Sequence, residues 1–190
     1  MRDFDPNPLW PAIAVVAAVA APVSVAVAAS YLTVAQAQRA LFPAAESFTP
    51  IELSLNTEQR RAIDAAAGPQ APHGDLRAWT AKRGGSIVGH VFVDNVIGRE
   101  DFITYAVGIG ADGKLLPVEI LDYRESHGGE IRDKRWLGQF AGRSEQGQLR
   151  MRTDIKNIAG ATLSSEHVTA GVRRILALWT TALRPATDGN

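Results

Sequence analysis

Apolar residues recur along this chain in two rhythms, every second residue and every third to fourth. Together they predict an α+β fold: an antiparallel sheet with helices packed on it. Phe48 to Leu55 alternates apolar and polar residues, as a half-buried strand does. Leu76 to Arg83 alternates again, Gly84-Gly85 reads as a hairpin turn, and Ser86 to Val96 continues with β-branched residues. Phe102 to Gly110 is a further strand. Ala111-Asp112-Gly113-Lys114 is a turn with Asp-Gly as its signature, and Leu115 to Tyr123 follows. Strands joined in this way form an antiparallel meander. A short strand is predicted over Leu149 to Ile155.

The helical rhythm appears in four places. Tyr31 to Phe42 repeats Leu32, Ala35, Leu41 and Phe42, and Pro43 ends it. Thr57 to Ala67 reads as a helix with Thr57 as N-cap and Gly68-Pro69 as the stop. Gln70 to Asp75 is a loop. Ile131 to Phe140 puts Trp136, Leu137 and Phe140 on one face. Glu166 to Leu183 carries the stripe Val168, Val172, Ile175, Leu176 and Trp179, and Arg184-Pro185 closes it. The chain has no internal repeat.

The N-terminus follows neither rhythm. No charged residue occurs from Leu9 to Leu32, and the run is rich in Ala and Val. Its length suits a bilayer span, which takes about 20 apolar residues. A signal-peptide core is shorter, yet Ala26-Val27-Ala28 and Ala35-Gln36-Ala37 both fit the small-x-small cleavage pattern. Length favours an uncleaved anchor over a removed signal, and the absence of a polar face disfavours a buried core helix. Arg2 is offset by Asp3 and Asp5, so flanking charge gives little orientation. Residues 1–32 are therefore read as an anchor or signal segment and residues 33–190 as one domain across the membrane from the cytoplasm.

Composition narrows the chemistry. The 190 residues carry equal numbers of acidic and basic side chains, without a basic stripe, so nucleic acid is not an expected partner. With no cysteine the chain can form neither disulfides nor thiolate metal or iron–sulfur sites. Its four histidines, at 73, 90, 127 and 167, are too scattered for a zinc site.

Candidate chemistry lies in Asp154-Ile-Lys-Asn-Ile-Ala-Gly-Ala-Thr-Leu-Ser-Ser165. Gly160 and Ala161 leave room for backbone to approach a ligand. Thr162 sits beside a helix start, where free N–H groups favour a phosphate. The plainer reading is a helix N-cap supplied by Thr or Ser. A second motif, Glu125-Ser126-His127-Gly128-Gly129-Glu130, follows a strand. Its two glycines permit positive φ and a loop that lies flat against a planar ligand. His127 is equally well a surface turn residue, Glu130 a charge favoured at a helix N-terminus, and Trp136 and Phe140 core.

These motifs resemble the FMN-binding domain family, which includes the flavin-carrying small subunits of the sodium-pumping NADH:quinone reductase and of the Rnf complex. Thr162 matches the threonine that carries FMN through a phosphoester bond made by a separate flavin transferase, and Asp154 matches the acidic residue opening the motif. Ala159 stands where serine is common. Glu125 to Glu130 resembles the family's Glu-Thr-Pro-Gly-x-Gly-Glu segment, with His127-Gly128 in place of Pro-Gly, and Trp136…Phe140-Ala-Gly142 resembles its aromatic-x-x-x-Phe-x-Gly pattern. The resemblance covers roughly Tyr31 to Leu183.

The resemblance implies an electron carrier rather than an enzyme with a free substrate. In it, Gly160, Ala161, Thr162, Leu163, Ser164 and Ser165 would hold the FMN phosphate, with backbone N–H groups near Ser164 and Ser165 as donors and Lys156 adding charge. His127, Gly128 and Gly129 would face the ring. Expected partners are the transferase, the inner membrane through the N-terminal helix, and membrane redox proteins, with the domain in the periplasm. Two other readings stand beside it: a cofactor-free accessory subunit of a membrane redox complex, and a reductase binding FMN noncovalently, for which His127 is the obvious proton donor.

Overall fold

The computed structural model describes residues 29–68, 75–125, 127–145, 147 and 149–184. Five strands form the expected meander: β2 (Ser47–Ile51), β3 (Arg77–Arg83), β4 (Ser86–Ile97), β5 (Phe102–Gly110) and β6 (Glu119–Tyr123). A two-residue strand, β1 (Ala29–Ser30), pairs antiparallel with β6 and completes the order β1-β6-β5-β4-β3-β2. The uncharged stretch therefore ends inside the sheet, since Ala29 and Ser30 pair with Tyr123 and Asp122. Its remainder, like Pro69, Gln70 to Gly74 and Pro185, lies outside the described residues. Among those described, no helix is long and apolar enough to cross a membrane.

The central strands are buried on both faces, because helices cover both. On one face lies α1 (Val34–Leu41), whose Ala37 and Leu41 join Val91, Val93, Ala106 and Leu121. The other, larger core joins Phe92, Val96, Tyr105 and Val107 to Ile63 of α2 (Thr57–Ala67) and to Val168, Val172 and Ile175 of α4 (Thr162–Leu178). Trp136 and Leu137 of α3 (Lys134–Leu137) and the neighbouring Phe140 enter the same core. The core reading of Trp136 and Phe140 therefore holds; their rings meet edge to face at 5.4 Å.

Helix boundaries follow the caps. Thr33 and Gln36 form a capping box, so α1 begins at Val34 rather than Tyr31. Asn56, not Thr57, caps α2, with Gln59 completing a second box. The segment predicted as one helix over Ile131 to Phe140 is broken into a 3₁₀ turn (Gly129–Arg132), α3 and a second 3₁₀ turn (Gly138–Phe140). Asp133 breaks it by accepting the Arg135 N–H as a new N-cap. The last helix starts four residues before Glu166, at Thr162, and its final turn, Trp179–Leu183, widens to π geometry.

Two strand expectations fail for backbone reasons. Leu115 makes only an isolated bridge to Ile109, and the regular strand begins at Glu119. Leu149 to Ile155 is not a strand. Leu149 (φ 41°) and Arg152 (φ 68°) are left-handed, and the Asp154 N–H turns back to the Arg150 carbonyl at 2.8 Å.

One buried polar link ties α4 to the sheet. Asp94 on β4 is 1% exposed; its Oδ2 accepts from the Tyr105 hydroxyl at 2.9 Å and pairs with the guanidinium of Arg174. Gly171 makes this approach possible, since a Cβ there would overlap the Tyr105 hydroxyl. Burial first, and then the Asp94 charge, push the Tyr105 hydroxyl well above the usual phenol range, so it stays a donor.

Candidate functional site

The fold brings the two motifs together at the N-terminus of α4. Ala161 is the N-cap residue, its carbonyl accepts the Ser165 N–H at 2.9 Å, and no side chain caps the helix. The plainer alternative, a Ser or Thr N-cap, is thus not what forms, and the N–H groups of the first turn have no side-chain acceptor. Gly160, one residue earlier, has φ 86°, and a Cβ there would meet nothing within 4 Å. Space is open where a ligand would approach the helix end.

The same end of α4 docks on the second motif. Gly128, also left-handed at φ 84°, lets the loop close on its neighbours: a Cβ would lie 2.8 Å from the Tyr123 hydroxyl and 3.0 Å from the Ala161 Cβ. Its smallness therefore serves contact between the two motifs, in addition to any contact with a ligand. Gly129 starts a 3₁₀ turn, and a Cβ there would meet Arg132.

Glu125 holds the arrangement together. Its Oε1 accepts from the backbone N–H groups of Arg99 and, at 2.8 Å, of Glu100, at the tip of the β4–β5 hairpin. Its Oε2 accepts from the Ser164 hydroxyl at 3.0 Å and the Tyr123 hydroxyl at 3.2 Å. The Tyr123 hydroxyl also reaches the His127 carbonyl. Gly98 admits the carboxylate, since any Cβ there would collide with it. His167 adds a second tie to the hairpin, its Nδ1–H donating to the Ile97 carbonyl at 2.5 Å.

Partial burial on its own would raise the Glu125 pKa. The hydrogen bonds from Glu100, Ser164, Arg99 and Tyr123 outweigh it and hold the carboxyl below its ordinary 4.5. Glu125 is thus an ionised clamp rather than a proton donor. Its folded pKa is depressed, so its stabilisation is complete above the unfolded value and drains away as pH falls through the folded one. Glu125→Gln should therefore flatten the acid limb of the stability curve below about pH 5. Urea unfolding midpoints from pH 7 to pH 3 check this; parallel curves for variant and wild type would refute it.

Arg99, Glu125, His127, Gly160, Ala161, Thr162, Leu163 and Ser164 line a cavity of about 420 Å³. Cavities of about 530 and 720 Å³ flank α2 and the C-terminal half of α4, but neither contains a residue of the two motifs. Volume does not single out the smaller cavity; residues of both motifs line it, which makes it the candidate site.

Not every expected residue reaches it. Ser164 and Ser165 are 2% and 0% exposed, and their hydroxyls are committed: Ser164 to Glu125, Ser165 to Asn157 Oδ1 at 2.6 Å and the Thr162 carbonyl at 2.9 Å. The Ser165 N–H is spent within the helix, so the available amides are those of Thr162, Leu163 and Ser164. Asp154 lies outside the cavity lining and closes the preceding turn, accepting from the Arg150 N–H at 2.8 Å. That bond chiefly keeps its carboxyl below the usual range. Lys156 is exposed and works through its backbone, its carbonyl accepting from the Trp136 indole at 2.7 Å and its N–H donating to Gln139 at 2.8 Å. Arg99 is the cation in the lining. Arg99 and Asn157 were not singled out from the sequence. A polar residue five positions before the threonine was the one available signal for Asn157; nothing marked Arg99.

The residues fit a phosphorylated planar ligand. An uncapped helix N-terminus, an open left-handed glycine, a nearby cation and a hydroxyl share one opening. Ala159, in place of the serine common in the family that the motifs resemble, is exposed, so no buried hydroxyl is lost there. No curated protein matches the chain. The family model for the FMN-binding domain matches residues 98–177, from the β4–β5 hairpin through nearly all of α4. That span holds every lining residue of the cavity, and it leaves the cofactor-free reading without support. Residues 98–177 match the FMN-binding domain, and that match supports FMN as the cofactor.

Proposed function

We propose that this chain is an extracytoplasmic, membrane-associated electron-transfer protein that carries FMN covalently, as a phosphoester on Thr162. The observation that carries the proposal is that Thr162, the first residue of an uncapped helix, lines the cavity. The amides of Thr162, Leu163 and Ser164 would meet the phosphate, and Arg99 would balance its charge. FMN supplies the redox chemistry when bound, while the protein supplies attachment, orientation and tuning. His127, which lines the cavity, and the neighbouring Gly128 backbone would border the ring. A reductase with its own substrate has less support: Glu125 is committed as a clamp, which leaves His127 as the titratable side chain of the second motif in the cavity lining.

An open cavity suits a carrier, because electrons must enter from one protein and leave to another. Leu163, Ile97 and Phe102 are 48%, 47% and 55% exposed, which leaves apolar surface near the opening for a redox partner. The uncharged run from Leu9 supplies the membrane attachment, with a flavin transferase on the same side for maturation.

Mass spectrometry of the tryptic peptide Asn157–Arg173, from protein exported in a host with the transferase, tests the proposal. The expected result is a gain of FMN less one water, localised to Thr162. An unmodified peptide from that host would overturn the covalent carrier.

A further inference from the structure

Three hydroxyls lie within four residues, on Thr162, Ser164 and Ser165, and the fold treats them differently. The Ser164 hydroxyl is held by the Glu125 carboxylate, and the Ser165 hydroxyl by Asn157 and the Thr162 carbonyl. Both serines are buried. The Thr162 oxygen instead accepts: Asn157 Nδ2 donates to it at 3.1 Å. A hydroxyl has one proton and two acceptor lone pairs. With one lone pair on Asn157, the second lone pair and the proton are left uncommitted, on a residue that lines the cavity.

We infer that Asn157 is the positioning residue for flavin attachment, selecting Thr162 over its neighbours as the nucleophile; the inference rests on the proposed covalent linkage. The amide is gripped at both ends, by Thr162 Oγ1 and by Ser165 Oγ. The backbone beside it is also fixed, through the Lys156 carbonyl on buried Trp136 and the Lys156 N–H on Gln139. An amide cannot take the proton, so Asn157 orients the hydroxyl without deprotonating it. In the attachment step the Thr162 Oγ–phosphorus bond forms. The pyrophosphate P–O bond of a flavin adenine dinucleotide breaks, and AMP leaves with the bonding electron pair. The Thr162 proton passes to a base of the transferase or to water, and nothing is oxidised or reduced. The Asn157 N–H can still donate once Oγ1 has become an ester oxygen.

Asn157→Asp separates this role from a structural one. The carboxylate keeps the shape and the acceptor for Ser165, but loses the donor to Thr162 and places an anion beside the incoming phosphate. The experiment uses purified full-length apo-protein in detergent, the transferase and flavin adenine dinucleotide, with attachment followed by intact mass and by peptide mapping. The expected result is a fall in kcat of about tenfold to a hundredfold for Asn157→Asp and Asn157→Ala, with KM for the chain unchanged. Attachment to folded Asn157→Asp at the wild-type rate overturns the inference. Should that variant unfold, Ser165→Ala releases the far end of the amide and must slow attachment in the same direction; a wild-type rate there overturns it equally. A wild-type chain left unmodified under these conditions overturns the covalent reading itself, so the two failures are distinct.

Discussion

Thr162→Ala should yield a protein that keeps its fold and loses all covalent flavin, while Thr162→Ser retains it. The measurement is flavin fluorescence on a denaturing gel, with thermal unfolding of the same preparations as the control. The loss is expected to be complete because the serine hydroxyls nearby are buried and bonded to Glu125 and Asn157. They cannot take over without opening the helix. The cost to stability should be small, about 1 kcal/mol, since one partly buried hydrogen bond is lost. Flavin still covalently attached in Thr162→Ala, at Ser164 or Ser165, would refute both the assignment and the selection argument.

The largest stability effect should come from the far end of the same helix. Asp94→Ala leaves the Arg174 charge buried without its counter-charge and the Tyr105 hydroxyl without its acceptor. Removing one member of a buried pair costs about 3–5 kcal/mol. Asp94 Oδ1 and Arg174 Nε already lack partners, so the link has no spare hydrogen bond to fall back on. Urea denaturation at neutral pH checks the prediction, and a loss below about 1 kcal/mol would refute it. Arg174→Met combined with Asp94→Ala should cost less than the sum of the two, because the stranded charge is then gone. Function is linked to this pair through geometry: about 18 Å of helix separates residue 174 from Thr162 at 1.5 Å per residue. A helix that shifts on the sheet at Asp94 moves the Thr162 hydroxyl against Glu125 and Arg99.

Much of the scaffold is legible in the residue order alone. The alternation of apolar residues, with Gly84-Gly85 and Asp112-Gly113 as turns, determines a meander, because strand periodicity and turn chemistry are local. The small residues around Thr162 and after Glu125 likewise mark two loops, which the fold brings together. Their meaning was only half visible. Gly128 looks like a residue made small for a flat ligand, yet it also closes against Ala161, 33 positions further on.

What only the tertiary structure decided are the partners of polar groups far apart in the chain. Lys156 belongs to the helix-start motif by position and charge, but its side chain is exposed while its backbone is held by Trp136 and Gln139. Arg99 enters the lining from a hairpin 63 residues before Thr162, because the Glu125 carboxylate draws that hairpin tip to the end of α4. The start of α4 at Thr162, rather than Glu166, was equally hidden. Local propensity favours Thr and Ser as caps, but docking of Ala161 under Gly128 places both serines inside the first turn. The residue order therefore determined the meander, the two loops and the candidate hydroxyl, which depend on neighbours in the chain. Folding decided which groups face that hydroxyl, because hydrogen bonds and burial depend on neighbours in space.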